Sequence, residues 1–415
     1  MAIKETIKKI TPKFFLSAYH YKLALLGAFL HGFAGKDKNM KIIGVTGTSG
    51  KSTTVDFITR ILEEAGNKTA SISSIRFKIG EKEWKNNYKM TMPGRLAIQK
   101  FLSQAKNAGC KFVVLEVTSE GIKQFRHKFI NFDAAVFTNL GKEHLESHGG
   151  FENYRNEKLK LFKAAKNIHI INEDDENAGH FLKIRARKKI RFSIKNAKNI
   201  KSENGISFEA GGQKFNLNLL GEFNICNALA ALCVAKAYGV DLKTCAKALE
   251  KARAIPGRME IVAKQPFMTV VDYAHTPEQL EGVYKTLKNF KFQILNFKLI
   301  CVLGSCGGGR DKWKRPELGK IAAKYCDKII ITNEDPYDED PMEIISQVAM
   351  GAGGKAEKIP DRKEAINHAL SFAKPGDIVI ITGKGSEPWM CLKNGKKIPW
   401  DDRQTVRDFL NLKNL

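Results

Sequence analysis

The stretch that most constrains this chain is residues 41–60, which read KIIGVTGTSGKSTTVDFITR. Apolar residues favour a buried strand, the glycines a tight turn, and the spacing from Ser52 to Glu64 a helix. Such a turn directs backbone N–H groups and a helix N-terminus at an anion. Lys51 adds a charge for the outer phosphates, and the Ser52 hydroxyl can hold Mg²⁺. Val45 replaces the first glycine of G-x-x-x-x-G-K-[ST], yet we predict phosphate binding over a chance glycine-rich turn.

The composition limits the class of protein and its partners. A chain of 415 residues is long enough for two or three domains. Its net charge of +25 fits an anionic substrate, a nucleic acid, an acidic membrane surface or a lysine-rich solvated surface. The basic residues are scattered and no nucleic-acid motif is present, so we expect no nucleic-acid partner. The eight cysteines form no C-x-x-C pair and indicate a reduced, cytoplasmic protein.

Residues 1–38 form a short basic and then apolar N-terminal segment. Lysines precede the run FFLSAYHYKLALLGAFLHGFAG, in the manner of a signal peptide, but Lys22, His20 and His31 interrupt it. The run is too broken for a transmembrane helix. Two interpretations remain: a helix packed on the body of the protein, or an interfacial helix that makes peripheral contact with an anionic membrane at its inner face.

The rest of the chain alternates apolar strands with amphipathic helices. This alternation predicts two α/β domains in tandem, each with a parallel sheet and its ligand edge at the strand C-termini. We place the first at residues 39–254 and the second at residues 255–415. Within the first, residues 190–219 alternate weakly and are interpreted as a small β-rich insertion.

Three polar residues stand near the ends of predicted strands in the first domain. Glu116 closes the strand 111–117, His144 follows the next strand, and Lys158 lies on the helix after it. Together with Ser52, Glu116 and His144 can bind Mg²⁺ ions that bridge nucleotide phosphates. The alternatives are a helix-capping carboxylate, a packed surface histidine and an exposed, ion-paired lysine.

A series of short segments then resembles a known family in order as well as in content. The segments are G-T-S-G-K-S, L-E-V-T-S-E, F-T-N-L-G-K-E-H-L-E-S-H, Y-R-N-E-K-L-K-L-F, G-E-F-N-I-C-N-A-L-A-A, P-G-R-M-E, V-D-Y-A-H-T-P, G-S-C-G-G-G-R-D, T-N-E-D-P-Y-D-E-D-P, G-K-G-S-E and W-D-D-R. They resemble the Mur ligases, ATP-dependent amide ligases that build the peptidoglycan peptide, and are most similar to those that add the third, diamino residue. The matches run from about residue 40 to residue 407.

The resemblance implies the fold, the cofactors and the roles of individual residues. It implies a P-loop central ATPase domain with a parallel sheet, followed by a C-terminal Rossmann-like α/β domain, with ATP and Mg²⁺ as cofactors. The implied catalytic residues are Lys51, Lys158, His144 and Glu116. The implied metal ligands are Ser52, Glu116, His144 and Lys158, the last as a carbamate. The implied ATP-binding residues are Gly47, Thr48, Ser49, Gly50, Lys51, Ser52, Thr53, Asn224, Asn227, Arg258, Asp272 and His275. The implied substrate-binding residues are Thr91, Pro93, Thr118, Ser119, Arg126, Gly304, Arg310, Glu334, Asp335, Tyr337, Gly383 and Glu387.

Departures from the family pattern bear on the substrates. The family's usual N-terminal uridine-nucleotide domain is expected to be missing, because only 40 residues precede the strand that leads into the phosphate turn. Thr91 keeps one threonine of the family's T-T-P motif, and Glu120 replaces a histidine. Tyr337 stands where an arginine grips the distal carboxylate of diaminopimelate, and Glu334 and Asp335 stand beside it. That environment favours an amine-ended amino acid such as L-lysine.

We therefore expect an ATP-dependent, ADP-forming ligase that adds an amino acid to a carboxylate of a muropeptide precursor through an acyl phosphate. One alternative is the same chemistry on another acceptor, of the folylpolyglutamate, pseudomurein or lipid-linked type. The other is a non-catalytic nucleotide-binding homologue.

Overall fold

The computed structural model describes residues 13–88, 90–202, 205–253, 255–289 and 297–412. Most of the basic part of the N-terminal segment, residues 1–12, lies outside the described residues, and so does residue 254, where we predicted the domain boundary. That boundary stays a prediction.

The first large sheet has eight strands, in the order β4-β3-β2-β5-β1-β6-β7-β8. Strands β3 and β4 are antiparallel additions at one edge, and the other six strands run parallel. The central strand β1 is almost entirely buried, as expected of a parallel strand that has helices on both faces. The strands are β1 (Lys41–Thr46), β2 (Thr69–Ile72), β3 (Arg76–Ile79), β4 (Lys82–Lys85), β5 (Phe112–Glu116), β6 (Phe132–Phe137), β7 (Ile168–Asn172) and β8 (Lys188–Phe192).

Helices cover both faces of this sheet. One hydrophobic core joins a face to α2 (Lys51–Glu64), α8 (Phe223–Ala237) and α9 (Leu242–Glu250). The alanine-rich α8 is apolar all round and correspondingly buried. A second core joins the other face to α3 (Arg95–Asn107) and α6 (Phe151–Ala164).

The remaining elements complete this half of the chain. They are α1 (Lys13–Leu30), α4 (Ser119–Lys123), α5 (Leu145–His148), α7 (Ala178–Leu182) and a three-stranded antiparallel sheet of β9 (Lys198–Lys201), β10 (Ile206–Ala210) and β11 (Gln213–Leu217). The predicted insertion at residues 190–219 is therefore partly wrong. Its first residues belong to β8, which pairs with β7 in the main sheet, and only the remainder forms a separate sheet.

The second large sheet has six strands, in the order β12-β13-β17-β14-β15-β16. All its pairings are parallel except that of β12 with β13. Asp340 and Asp361 each accept a hydrogen bond from a first-turn N–H group of the helix that follows, and so fix where those helices begin. The strands are β12 (Glu260–Ala263), β13 (Met268–Val271), β14 (Leu299–Leu303), β15 (Lys328–Ile331), β16 (Ala356–Lys358) and β17 (Ile378–Ile381).

This second sheet is also covered on both faces. Helices α10 (Pro277–Asn289), α11 (Lys314–Tyr325) and α12 (Pro341–Gly351) share one core, and α13 (Arg362–Phe372) and α14 (Asp402–Leu412) share the other. A small hairpin, β18 (Trp389–Cys391) and β19 (Lys397–Pro399), precedes α14. Two parallel-rich sheets between helices confirm the predicted α/β class.

Candidate active site

The predicted phosphate loop lies between β1 and α2. Gly50 has a φ of 77°, a conformation that favours glycine, and a Cβ atom there would collide with Asn227. Asn139, which follows β6, accepts from the backbone N–H groups of Thr48 and Ser49, each at 2.9 Å. Lys51 Nζ donates to the carbonyl oxygen of Thr48 at 2.8 Å. The loop is therefore held by its neighbours before any anion binds.

Glu116 lies where β5 ends, beside the first turn of α2. Its Oε2 atom accepts from the Ser52 hydroxyl at 2.8 Å and from the Ser74 N–H at 2.8 Å. The side chain is 3% exposed. A buried carboxylate and a hydroxyl at a phosphate loop supply the hard oxygen ligands that Mg²⁺ prefers. Within the described residues, no three His, Cys, Asp or Glu side chains converge as a protein-only metal site would.

Lys158 is buried on α6, and its Nζ atom donates to the carbonyl oxygen of Gly47 at 2.7 Å. The ammonium also lies 4.6 Å from the centre of the Tyr154 ring. Burial, followed by the charge of Lys51, lowers the pKa of Lys158 well below its usual range. This lysine is not the exposed, ion-paired residue of the alternative interpretation, because it contacts the backbone of the phosphate loop.

The asparagines of α8 face the phosphate loop. Thr54 of α2 donates to Asn227 Oδ1 at 3.4 Å, and Asn227 donates to Asn224 Oδ1 at 3.0 Å. Arg258 reaches the same region: its guanidinium lies 4.3 Å from the centre of the Tyr273 ring and 3.5 Å from Ser74 Oγ.

Loops of the second sheet hold a compact cluster of charges. Lys384 Nζ donates to Asp335 Oδ2 at 2.9 Å and to Glu387 Oε2 at 2.6 Å. Glu334 is 4% exposed, its Oε2 atom has no hydrogen-bond partner among the described residues, and burial raises its pKa. Tyr337 adopts a left-handed backbone conformation with a φ of 52°. Because Lys384 neutralises part of the acidic charge, our prediction of uncompensated acids beside Tyr337 was incomplete.

Two loops of the second sheet contact the loop that follows β6. His275 Nε2 lies 2.8 Å from Glu143 Oε1, and Arg310 donates to His144 Nδ1 at 3.1 Å. Burial lowers the pKa of His144 to about 4, so the imidazole is neutral at pH 7. Asp272 serves the backbone, since it accepts from the N–H groups of Met259 and Ala274 at 2.7 and 2.6 Å.

A third group of predicted residues lies around Arg126. Its guanidinium donates to Gln124 Oε1 at 2.8 Å and to the carbonyl oxygen of Met92. Burial, followed by the charge of Arg95, lowers its pKa to about 10. Within the part of the chain that the structure describes, the buried Nε atom of Arg126 has no hydrogen-bond partner.

One cavity of about 1270 Å³ brings most of the predicted residues together. Its lining includes the residues that were predicted from both halves of the chain, namely Thr48, Ser49, Gly50, Lys51, Ser52, Thr53, Thr91, Glu116, Thr118, Arg126, His144, Asn224, Asn227, Arg258, Asp272, His275, Arg310, Glu334, Asp335, Tyr337, Gly383 and Glu387. Five predicted residues do not line it: Gly47, Pro93, Ser119, Lys158 and Gly304. Gly47 and Lys158 contact each other behind the loop, and Ser119 lies 3.1 Å from His148 Nε2.

Sequence reasoning missed several residues that shape this cavity. The Tyr154 hydroxyl lies 3.0 Å from the Thr48 hydroxyl. The Ser74 hydroxyl contacts both the Ser52 hydroxyl and the Arg258 guanidinium. Lys384 stands inside the G-K-G segment, which was interpreted only through its glycines. Asn139 and Glu143 lie inside the quoted T-N-L-G-K-E-H segment, so their membership of that segment was the available signal.

Comparisons with known proteins agree with this geometry. The family model of the Mur ligase middle domain matches residues 45–235, and that of the Mur ligase glutamate ligase domain matches residues 257–385. The UDP-N-acetylmuramoyl-L-alanyl-D-glutamate–2,6-diaminopimelate ligase of Syntrophomonas wolfei is 37% identical over 94% of this chain and 81% of the relative. The UDP-N-acetylmuramyl-tripeptide synthetase of Roseiflexus sp. (strain RS-1) is 36% identical over 93% and 81%.

Solved structures show the same arrangement of elements. A UDP-N-acetylmuramoyl-L-alanyl-D-glutamate–2,6-diaminopimelate ligase superposes with a TM-score of 0.61 at 31% identity, over 91% of this chain and 80% of that one. Mycobacterium tuberculosis folylpolyglutamate synthase, complexed with ADP and AMPPCP, gives a TM-score of 0.71 at 18% identity, over 87% and 92%. At 18% identity, the similarity to folylpolyglutamate synthase shows only that the fold is shared.

Proposed function

Since the chain belongs to the Mur ligase family and is therefore an ATP-dependent, ADP-forming amide ligase, we propose that it joins a diamino acid to a carboxylate of a muropeptide precursor. The observation that carries this proposal is the shared cavity. The phosphate loop of the first sheet and the charged loops of the second line the same space. Relatives that are named for adding diaminopimelate to a muramoyl dipeptide support this substrate class.

The proposed reaction has two steps. A carboxylate oxygen of the acceptor attacks the γ-phosphorus of ATP, ADP leaves, and an acyl phosphate forms. The amino group of the incoming amino acid then attacks the acyl carbon, phosphate leaves, and the nitrogen loses a proton. Lys51 and the free N–H groups at the start of α2 stabilise the charge on the transferred phosphoryl group.

The residues around Ser52 fit Mg²⁺. Glu116 and Ser52 offer a carboxylate and a hydroxyl in contact at 2.8 Å, and they would hold an ion that neutralises phosphate charge. His144 is neutral, but its Nδ1 atom accepts from Arg310. Since that nitrogen then has no free lone pair, His144 can bind a metal ion through Nδ1 only after Arg310 releases it.

We propose that Lys158 is carbamylated in the active enzyme. A lysine reacts with CO₂ as the neutral amine, and burial favours that form. The added carboxylate would place a negative charge near Lys51 and the Mg²⁺ ligands, where a bare ammonium would repel a cation.

We propose that the added amino acid ends in an amine, as L-lysine does. Tyr337 offers a phenol where a bidentate cation would be needed to hold a distal carboxylate. The charge of Lys384 is already offset by Asp335 and Glu387. The Glu334 side chain is buried, and its Oε2 atom has no hydrogen-bond partner among the described residues. The ammonium of an incoming amino acid can donate a hydrogen bond to this oxygen.

We also propose that residues 1–38 make peripheral contact with an anionic membrane. Helix α1 exposes large apolar side chains, and lysines are the main charged residues of this segment. Among the described residues, no helix is long and apolar enough to span a bilayer.

Lys51→Ala tests the ligation itself. We expect the variant to keep its circular dichroism spectrum and to lose phosphate release by at least ~100-fold, since its ammonium acts on transition-state charge. Lys100→Ala removes an exposed lysine of α3 and serves as the control. Substantial turnover in the Lys51 variant would move the ATP site away from this loop.

A further inference from the structure

Helix α1 presents its large apolar side chains outward. Ala24 and Ala28 are buried, and a Cβ atom on Gly27 would lie 3.2 Å from the carbonyl oxygen of Arg95, so the helix packs on α3 through its small residues. Of the sixteen large apolar side chains that are exposed among the described residues, seven belong to this one helix. We call these seven the docking face: Phe15, Tyr19, Tyr21, Leu25, Leu26, Phe29 and Leu30.

Charge around the docking face favours an anionic surface. Helix α1 contains no acidic residue, and Lys22, Lys36 and Lys38 are exposed on it or directly after it. Asp37 is paired with Lys106 at 3.0 Å, so its charge is offset. An apolar helix face with aromatic residues and a surplus of lysines is the pattern of helices that lie in the surface of an anionic bilayer.

Hydrogen bonds connect α1 to the wall of the active-site cavity. His20 Nδ1 accepts from the Arg95 guanidinium at 2.5 Å, and Arg95 Nε donates to the carbonyl oxygen of Gln124 at 2.8 Å. The side chain of Gln124 accepts from Arg126, and both residues line the cavity. A continuous chain of hydrogen bonds therefore links α1 to the Arg126 side chain.

Aromatic packing reinforces this connection. The Tyr21 ring lies 6.1 Å from the Phe125 ring and 5.4 Å from the Phe129 ring. These two phenylalanines bracket Arg126 in the sequence, and both have left-handed backbone conformations. Helix α1 thus contacts the segment that carries the arginine on both sides of it.

We infer that the docking face seats the enzyme on an anionic bilayer and that the carboxylate acceptor is anchored in the same bilayer by a lipid. This inference rests on the proposed function, because it names the form in which the muropeptide acceptor is presented. His20 is a positioning residue: through Arg95 and Gln124 it fixes Arg126 in the cavity wall. Because this wall of the cavity is hydrogen-bonded to the helix that lies on the bilayer, a lipid-borne acceptor would reach the cavity from that side.

Vesicle binding tests the docking face without turnover. Sedimentation with vesicles of phosphatidylglycerol and phosphatidylcholine is compared with sedimentation on phosphatidylcholine alone. We expect the full chain to bind the anionic vesicles, and F29S/L30S to bind at least ~10-fold more weakly, because two large apolar side chains no longer enter the lipid. M342S/M350S removes two exposed apolar side chains of α12 and should bind like the wild type.

Kinetics test the lipid-borne acceptor and the role of His20. The UDP-linked muramoyl dipeptide is compared with the same dipeptide on a lipid pyrophosphate in those vesicles. We expect a KM for the vesicle-borne acceptor that is at least ~10-fold lower, and loss of this advantage in F29S/L30S. His20→Phe should raise the KM for the muropeptide acceptor by ~10-fold and leave nucleotide affinity unchanged. His20→Gln keeps a hydrogen-bond acceptor for Arg95, so its KM should return to the wild-type value.

Several results would overturn the inference. One is an equal KM for the two acceptors, and another is vesicle binding that is unchanged in F29S/L30S. A third is a concentration-dependent dimer that F29S/L30S abolishes, which would assign the docking face to contact with a second copy of the chain. Absence of ligation with both acceptors would overturn the proposed function and the lipid-borne acceptor, whereas vesicle binding in the same experiment would still support the docking face.

Discussion

Lys384→Met is expected to destabilise the protein strongly, because it removes the cation from a buried charge cluster. The Lys384 side chain is 1% exposed, and that of its partner Asp335 is 3% exposed. Breaking such a pair by removing one member costs about 3–5 kcal/mol, because the partner's charge stays buried without this cation. Glu387 is more exposed and adds less to this loss.

An exposed pair of similar geometry provides the control. Lys320 and Glu317 on α11 lie 2.7 Å apart, but their side chains are 62% and 43% exposed. Lys320→Met should therefore cost less than ~1 kcal/mol. The double variant K384M/D335L, which removes both buried charges, should recover part of the loss of K384M.

Urea unfolding followed by tryptophan fluorescence measures these differences. Trp313, Trp389 and Trp400, three of the four tryptophans, lie in the half of the chain that contains the pair. Trp389 belongs to β18, whose Cys391 N–H donates to Asp335 Oδ1 at 2.7 Å. A loss below ~1 kcal/mol in K384M would refute the reasoning, because it would mean that water solvates the two carboxylates as readily as the control pair.

Three further predictions concern the same cavity. Lys158→Ala should lose ligation and regain part of it with formate, whereas Lys163→Ala, an exposed lysine on the same helix, should change little; turnover assays check both. Burial raises the pKa of Glu334 in the folded protein. At pH values between its usual pKa and the raised one, Glu334 is protonated in the folded protein but ionised in the unfolded chain. Stability should therefore fall as pH rises through that window, and Glu334→Gln should lack this fall in urea unfolding at several pH values. Tyr337→Arg should shift the competition between L-lysine and diaminopimelate toward diaminopimelate by ~100-fold, a shift measured by product mass; an unchanged ratio would contradict our interpretation of Tyr337.

Local patterns predicted the central sheet and the strand, turn and helix around residues 41–64 well. The strands that proved central, such as Lys41–Thr46 and Phe112–Glu116, are largely apolar along their length because helices cover both of their faces. Residues 190–192 were misassigned to an insertion because their strand, β8, lies at the sheet edge, where Lys188, Lys189 and Arg191 face solvent and hide the apolar pattern.

Charge pairing in the second half of the chain could not be predicted in the same way. Arg362 and Asp402 are 40 positions apart, yet both side chains are fully buried against each other at 2.8 Å. Lys384 belongs to a glycine-rich turn, where an exposed side chain is the ordinary expectation. The burial of both cations follows from how the loops of several strands meet, which no local spacing encodes.

The loop after β6 gains a second role from the structure. It was predicted as part of the metal site through His144, but it also joins the two halves of the cavity. Glu143 meets His275, and Asp311 accepts from the N–H groups of Leu145 and Glu146 at 3.2 and 3.0 Å.

We propose that this junction couples metal binding to the position of the second sheet's loops. While Arg310 donates to His144 Nδ1, the neutral imidazole carries its proton on Nε2, so neither nitrogen has a lone pair free for a metal ion. Binding of a metal ion at His144 would therefore release Arg310, which lines the cavity beside the amino-acid loops. A guanidinium freed in this way is available to a bound anion, either a phosphoryl oxygen or a substrate carboxylate, at the stage when the nucleotide side of the cavity is filled.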